Sequence, residues 1–385
     1  MKADATAFTA LMKHLKEADP QHTVLMVQVE NEPGAWGSVR DYSAYAQTLF
    51  EGKVPEALLN PETLKALKTP VDAQGSWTEV FGKDADEYFQ AWSVAKYIGY
   101  VAAAGKKVNQ LPLYVNVALR DPLSNPSASN YESGGATDNV IPIWKLNAPA
   151  LDLLGPDVYA PDLPTYRKQL DLYGRADNAL FLPETGGSPR FLFFVLGHGG
   201  IGFAPFGIDF TRTPVYPDAA RPREESLTPW SRTGTKEFVA PFEPLYRLFA
   251  PMAPELARLN FEGRLQATGE EQGRLTQTLH FGAWDALVSY GVWARNGAPM
   301  GNPQPIGAAL VGQLADNQFL VSGFHARIDF RPVRPELQRQ FLRVEEGTYE
   351  NGSFRFQRVL NGDQTDGGLD FFADPLVLRV SLASY

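Results

Sequence analysis

Up to about residue 265 the chain alternates two kinds of segment, and that alternation limits the fold more than any other feature. Short apolar runs recur at residues 23–30, 111–119, 151–160, 179–187 and 201–209. Stretches with helical periodicity lie between them. Phe8, Leu11, Met12 and Leu15 share one face of a first helix, which Asp19-Pro20 ends. Tyr88, Trp92, Ala95, Gly99 and Ala102 share a face over 84–107, with Gly105 and two lysines as a stop. Further helices are expected over 163–173, from Ser188-Pro189 as N-cap and first helical residue, and over 236–258. Strand–helix–strand alternation of this kind predicts a parallel sheet with crossover helices.

Beyond residue 265 the period changes. GAALVGQL and NQFLVSGF flank Ala315-Asp316 as a hairpin, and TYENGSFRFQ and VLNGDQ each carry an Asn-Gly turn. Leu376, Leu378, Val380 and Leu382 alternate in a last strand. The expected organisation is an α/β domain over 1–265 and an antiparallel β-sandwich over 266–385.

Composition removes several classes of function. The net charge of −9 argues against an electrostatic grip on nucleic acid or an anionic membrane. With no cysteine there is no disulfide, thiolate nucleophile or Cys-type zinc site, and the five histidines have no ligand spacing. No cofactor or metal is expected. No apolar run reaches the ~20 residues of a membrane span, and the first twenty residues read as an amphipathic helix rather than a leader.

The chemistry is expected at the C-terminal strand ends, where parallel α/β sheets carry their sites. The run VLMVQVENEPG ends in Glu30-Asn31-Glu32, and FLPETGG places Glu184 at the end of a second short strand. Pro183 cannot donate to a ladder, and Gly186-Gly187 let the backbone turn beside a ligand. Two carboxylates, each at the end of a parallel strand, could flank one bond, as glycoside hydrolysis requires. An amide such as Asn31 can bond a sugar 2-hydroxyl. Glu30 is a rival acid; Glu32 is preferred because Pro33-Gly34 follow it. Asn116, Asp157 and Tyr159 stand at or near other strand ends, where they are expected either to line the pocket or to anchor loops by hydrogen bonds. Trp36 and Trp230 lie in loops on the same side, where either could stack on a sugar or be clamped under a long loop.

The segment QVENEPG resembles the Gln-Ile/Val-Glu-Asn-Glu-Tyr-Gly signature of glycoside hydrolase family 35, the β-galactosidases. Here Pro33 stands in place of the Tyr, and Thr-Gly-Gly follows Glu184 where typical members have aromatic residues. GAALVGQLADNQFLVSGFHARIDF resembles the C-terminal domain of a bacterial β-galactosidase-like subgroup. Between them the two resemblances take in nearly the whole chain.

The family belongs to a clan of retaining (β/α)8 glycosidases whose Asn-Glu pair ends the fourth strand and whose nucleophile ends the seventh. The resemblance therefore implies Glu32 as acid/base, Asn31 as 2-hydroxyl partner and Glu184 as nucleophile. It implies a partial TIM barrel of strands four to eight followed by the β-sandwich. Since a barrel closes with eight strands and ~250 residues, the expectation is a chain truncated at its N-terminus. The implied activity is retaining hydrolysis of terminal β-glycosidic bonds, those of β-galactosides in particular, with a β-glycoside as the partner molecule. The alternative is a non-catalytic carbohydrate-binding or assembly protein left by loss of the first strands. Oligomeric state, a homo-oligomer included, and compartment, whether periplasmic, secreted or cytoplasmic, are not fixed by the sequence.

Overall fold

The structure is a computed structural model and describes residues 1–208, 240–291 and 299–385. The chain divides into two compact units, residues 1–159 with 171–184, and residues 160–170 with 185–385.

The α/β part is a curled parallel half-barrel of five strands in chain order. They are β1 (Val27–Gln28), β2 (Leu113–Ala118), β3 (Leu153–Val158), β4 (Phe181–Thr185) and β5 (Gly202–Pro205). Val27 pairs with Leu113, and Tyr114 with Leu153, both in parallel register. Leu113, Val115, Val117, Leu154 and Val158 are buried, as a sheet covered by helices requires.

In the first unit the helix Lys2–Ala18 buries Ala5, Phe8 and Met12 against the helix Ala85–Lys106. Gly105 makes that approach close: a Cβ there would stand 2.3 Å from the Phe8 ring. The first strand is shorter than the apolar run 23–30 suggests. The Asp19 carboxylate accepts from Thr23 N at 2.9 Å and Val24 N at 2.8 Å, so residues 19–24 fold into a turn. Only Val27–Gln28 remain as strand.

In the second unit, the six-stranded sheet takes β6 (Leu265–Gly269), β9 (Ala308–Ala315), β10 (Gln318–Phe324), β12 (Arg339–Glu350), β13 (Ser353–Val359) and β15 (Val377–Ser384). The four-stranded sheet takes β7 (Thr276–Phe281), β8 (Trp284–Tyr290), β11 (Ala326–Pro332) and β14 (Leu369–Phe371). Phe281, Trp284, Val288, Phe330 and Phe371 of the smaller sheet meet Val311, Phe319, Val321 and Val380 of the larger in one core. The other face of the larger sheet, with Leu310, Leu320 and Val377, packs on Phe193, Leu245, Phe249, Leu256 and Leu259 of three helices. Two covered faces explain why β9 and β10 are buried almost continuously instead of alternating.

Ala315 pairs with Gln318 in the β9–β10 hairpin, and Asn351-Gly352 turn with positive φ between β12 and β13. Three local expectations change. Residues 361–364 form a 3-10 turn instead of a hairpin, because Asn361 and Gln364 cap one another. The helix expected over 236–258 is two helices in its described part, Phe242–Phe249 and Ala253–Phe261, broken where Pro251 and Pro254 remove donors. The helix after β4 starts at Arg190, with Pro189 at the cap and no side-chain bond from Ser188. No helix among the described residues is long and apolar enough to cross a membrane.

Candidate active site

Every site residue named from the sequence, Trp230 excepted, lies in the first unit; Trp230 lies outside the described residues. The organising residue is Asn116, on β2 and 1% exposed. Its Oδ1 accepts from the Glu32 backbone N–H at 2.8 Å and from Gln28 Nε2 at 3.0 Å. Its Nδ2 donates to Asn31 Oδ1 at 3.0 Å and to Asp157 Oδ2 at 2.7 Å. One buried amide thus uses all four of its bonding positions to tie the end of β1 to the end of β3. Asn31 Oδ1 also accepts from Gln28 Nε2 at 3.1 Å, which leaves the Asn31 NH2 as the group for a ligand hydroxyl.

Glu32 is held in an unusual backbone conformation. Its φ is +42°, in the left-handed region that non-glycine residues seldom occupy. Such a residue persists only when its surroundings over-determine it, at a cost of about 1–3 kcal/mol. The bond from its N–H to Asn116 supplies part of that constraint. Glu30, the rival acid, is exposed; it lines a shallow depression with Asp4, Leu11 and Tyr97 instead of joining the Asn116 network.

Glu184, on β4, accepts a hydrogen bond from the Tyr159 hydroxyl at 2.5 Å. Glu32, Asp157 and Glu184 each bring one carboxylate oxygen to a common locus, all three within 4.8 Å of one another. The structure therefore brings together Glu32, Asn31, Asn116, Asp157, Tyr159 and Glu184, with Asp157 between the two glutamates and Asn116. Three oxygens this close could by number suit a hard cation. Here Asn116 Nδ2 and the Tyr159 O–H already point at two of the three carboxylates, so donor groups temper the negative charge.

Burial sets the electrostatics. Asp157 is pushed up to about 10, first by burial, then by its hydrogen bond to Glu32 and the charges of Glu184 and Glu32; the Asn116 donor opposes this. Glu184 is raised by burial, lowered by the Tyr159 donor and raised again by the Glu32 charge, with a net upward direction. Tyr159 is raised by burial and by its bond to Glu184, so it stays a donor.

Sequence reasoning missed Glu132. It is 8% exposed, and its Oε2 has no partner among the described residues. Burial, followed by the Glu32 charge, pushes it up to about 7, against a hydrogen bond from Trp36. The loop carrying it is fixed at several points: Ser133 pairs with Ala35, Trp144 Nε1 donates to Gly134 O at 3.2 Å, and Tyr173 O–H donates to Ala136 O at 2.9 Å. Arg120 closes the loop base with a two-point pair to Asp138, at 2.6 and 2.8 Å. Gly34 is required opposite it, because a Cβ there would lie 2.4 Å from Glu132 Cγ. A signal existed in the sequence: Glu132-Ser133-Gly134-Gly135 repeats the Glu-Thr-Gly-Gly pattern of Glu184. Trp36 is 67% exposed, an open ring tethered through its bond to Glu132.

An apolar cavity of about 430 Å³ in the second unit, lined by Leu192, Val195, Phe203, Tyr246 and Phe249, offers no comparable chemistry. Its one phenol, Tyr246, already donates to Phe203 O at 2.7 Å.

Comparison with known protein families matches the C-terminal region. No curated protein matches the chain. A family model described as a domain of unknown function (DUF5597) matches residues 242–372, from the helix Phe242–Phe249 through β14.

Proposed function

We propose that the chain is a retaining β-glycosidase, with Glu184 as nucleophile and Glu32 as acid/base, acting on β-galactosides or related β-glycosides. The observation that carries this reading is the meeting of Glu32 and Glu184, whose oxygens approach within 4.8 Å. Retaining enzymes hold their carboxyl groups about 5–5.5 Å apart, whereas inverting enzymes leave about 6.5–9.5 Å for a water. The amide of Asn31 beside the acid and the tyrosine donor on Glu184 support the same reading.

In this mechanism a Glu184 oxygen attacks the anomeric carbon as the bond to the leaving oxygen breaks. Glu32 gives its proton to that oxygen, and a glycosyl ester forms on Glu184. Glu32, now a carboxylate, takes a proton from water; the water oxygen bonds to the anomeric carbon and Glu184 leaves as a carboxylate. Asn31 NH2 is placed to bond the 2-hydroxyl, where such bonds strengthen in the transition state. Trp36 presents a face on which a sugar ring can stack.

Two displacements return the original configuration. Proton NMR of an aryl β-glycoside digest should therefore show the β-anomer first and the α-anomer only by later mutarotation. Initial release of the α-anomer, or binding without turnover across a chromogenic panel, would overturn the reading.

Tyr159→Phe removes the donor that opposes burial at Glu184. Glu184 must be ionised to attack, so its acid limb should move to higher pH. A hydrogen bond to a charged group is worth about 1.5–3 kcal/mol, so kcat/KM should fall about 10–100-fold. An acid limb that stays in place would show that the hydroxyl does not govern Glu184.

A further inference from the structure

We infer that Asp157 is a positioning residue held as a neutral carboxylic acid, its O–H donated to the Glu32 carboxyl group while Asn116 holds its other oxygen. What this means for turnover rests on the glycosidase reading; the protonation state of Asp157 does not.

Geometry carries the inference. Asp157 is 4% exposed at the end of β3. Its Oδ2 accepts from Asn116 Nδ2 at 2.7 Å. Its Oδ1 is fully buried and has no donor among the described residues. An ionised carboxylate would leave that oxygen as an unsatisfied acceptor in a poorly solvated place, which is costly. A proton on Oδ1 turns the orphan acceptor into a donor, and the neighbouring Glu32 carboxyl group, with an oxygen within 4.8 Å of an Asp157 oxygen, is the acceptor this assigns to it.

The surroundings point the same way. The ionisable groups acting on Asp157 are Glu32 beyond β1, Glu184 on β4, and the phenols Tyr114 on β2, Tyr159 after β3 and Tyr173 on the helix Leu163–Tyr173. None of them brings a positive charge. Like charges gathered at one site force a proton onto one member, and here the most deeply buried carboxyl takes it, in keeping with the upward direction at Asp157.

Such an acid would do two things for the reaction. It keeps the cluster from carrying three negative charges, so that Glu184 can ionise. It also places a fixed donor on Glu32, stabilising the carboxylate left once Glu32 has given its own proton to the leaving oxygen. Asp157 keeps its proton throughout and touches no substrate.

The test has two readouts on the full chain. In protein labelled with carboxyl-13C aspartate, the Asp157 resonance, identified by its absence in Asp157→Asn, should keep the chemical shift of a protonated acid from about pH 5 to about pH 8, where an ordinary aspartate shows that of a carboxylate. Titration near the ordinary aspartate value would overturn the inference. If Asp157→Asn does not fold, through-bond correlations assign the resonance in the wild-type chain alone. The second readout is the pH–rate profile. Asparagine replaces a neutral donor with a neutral donor, so the alkaline limb should stay in place even if the rate falls. A limb displaced to lower pH in Asp157→Asn would mean that a negative charge had been removed, and would also overturn it. A chain that hydrolyses no aryl glycoside refutes the glycosidase reading, while the carboxyl titration still decides the state of Asp157.

Discussion

Glu184→Gly should abolish hydrolysis of an aryl β-glycoside, with a loss on the order of 10⁴- to 10⁶-fold in kcat, as for removal of other covalent nucleophiles. The loss follows from position. Glu184 ends β4 with one oxygen fixed by Tyr159 and another region of the carboxylate open toward Glu32. Among the described residues the carboxylates that share its locus are Glu32 and Asp157, and Asp157 is bonded to Asn116. The glycine variant leaves a carboxylate-sized gap beside the anomeric carbon. Azide can enter it and attack in one displacement, giving the inverted α-glycosyl azide. Azide with Glu32→Ala should instead give the β-glycosyl azide, because the Glu184 ester still forms and the anion replaces water in the second step. The two opposite products separate the roles of the glutamates without knowledge of the natural sugar. A Glu184→Gly chain that turns over like the wild type would remove the nucleophile assignment.

Asn116→Ala is expected to damage both stability and activity. It strips acceptors from the Glu32 N–H and Gln28, and donors from Asn31 and Asp157. Buried groups left unpaired cost about 1–3 kcal/mol each. With partial relaxation at the exposed Asn31, a net loss of about 2–4 kcal/mol is expected, or a fall of about 5–15 °C in the melting temperature. Activity should drop further than stability alone explains, because Glu32 loses the bond that holds it at φ +42°. Misplacement of a reacting group by about 1 Å can cost about 100-fold. Calorimetry with kcat/KM on the same preparation checks both parts. An unchanged melting temperature together with unchanged turnover would show that Asn116 does not organise the site.

The strand ends were legible because their signals are local. A strand buried on two faces needs a continuous apolar run, and LPLYVNVAL and LDLLGPDVYA meet that need without help from distant residues. Glu32 and Glu184 stood out as the acidic ends of such runs. The same local reading overran at Thr23, because nothing in the apolar pattern shows the Asp19 side chain turning back to cap Thr23 and Val24. Glu132 escaped for a related reason. It lies in a polar loop with no period, and its burial depends on Trp144, Tyr173 and Arg120 gathering that loop from elsewhere. Asp157 was visible as a strand-end acid, but its central place depends on the register that sets Ala118 beside it and Asn116 against Gly155. Glycine at 155 also leaves room for Pro183, whose ring a Cβ would meet at 2.8 Å.

The covalent step can be observed directly. Incubation of the chain with an activated 2-deoxy-2-fluoro-β-glycoside, the galactoside first, slows breakdown of a glycosyl ester so that it accumulates. Intact-mass spectrometry should show one added fluoroglycosyl group per chain, and peptide mapping should place it on Glu184. Hydrolysis of the parent β-glycoside with no label on the chain, or a label on any other side chain, would contradict a double displacement through Glu184.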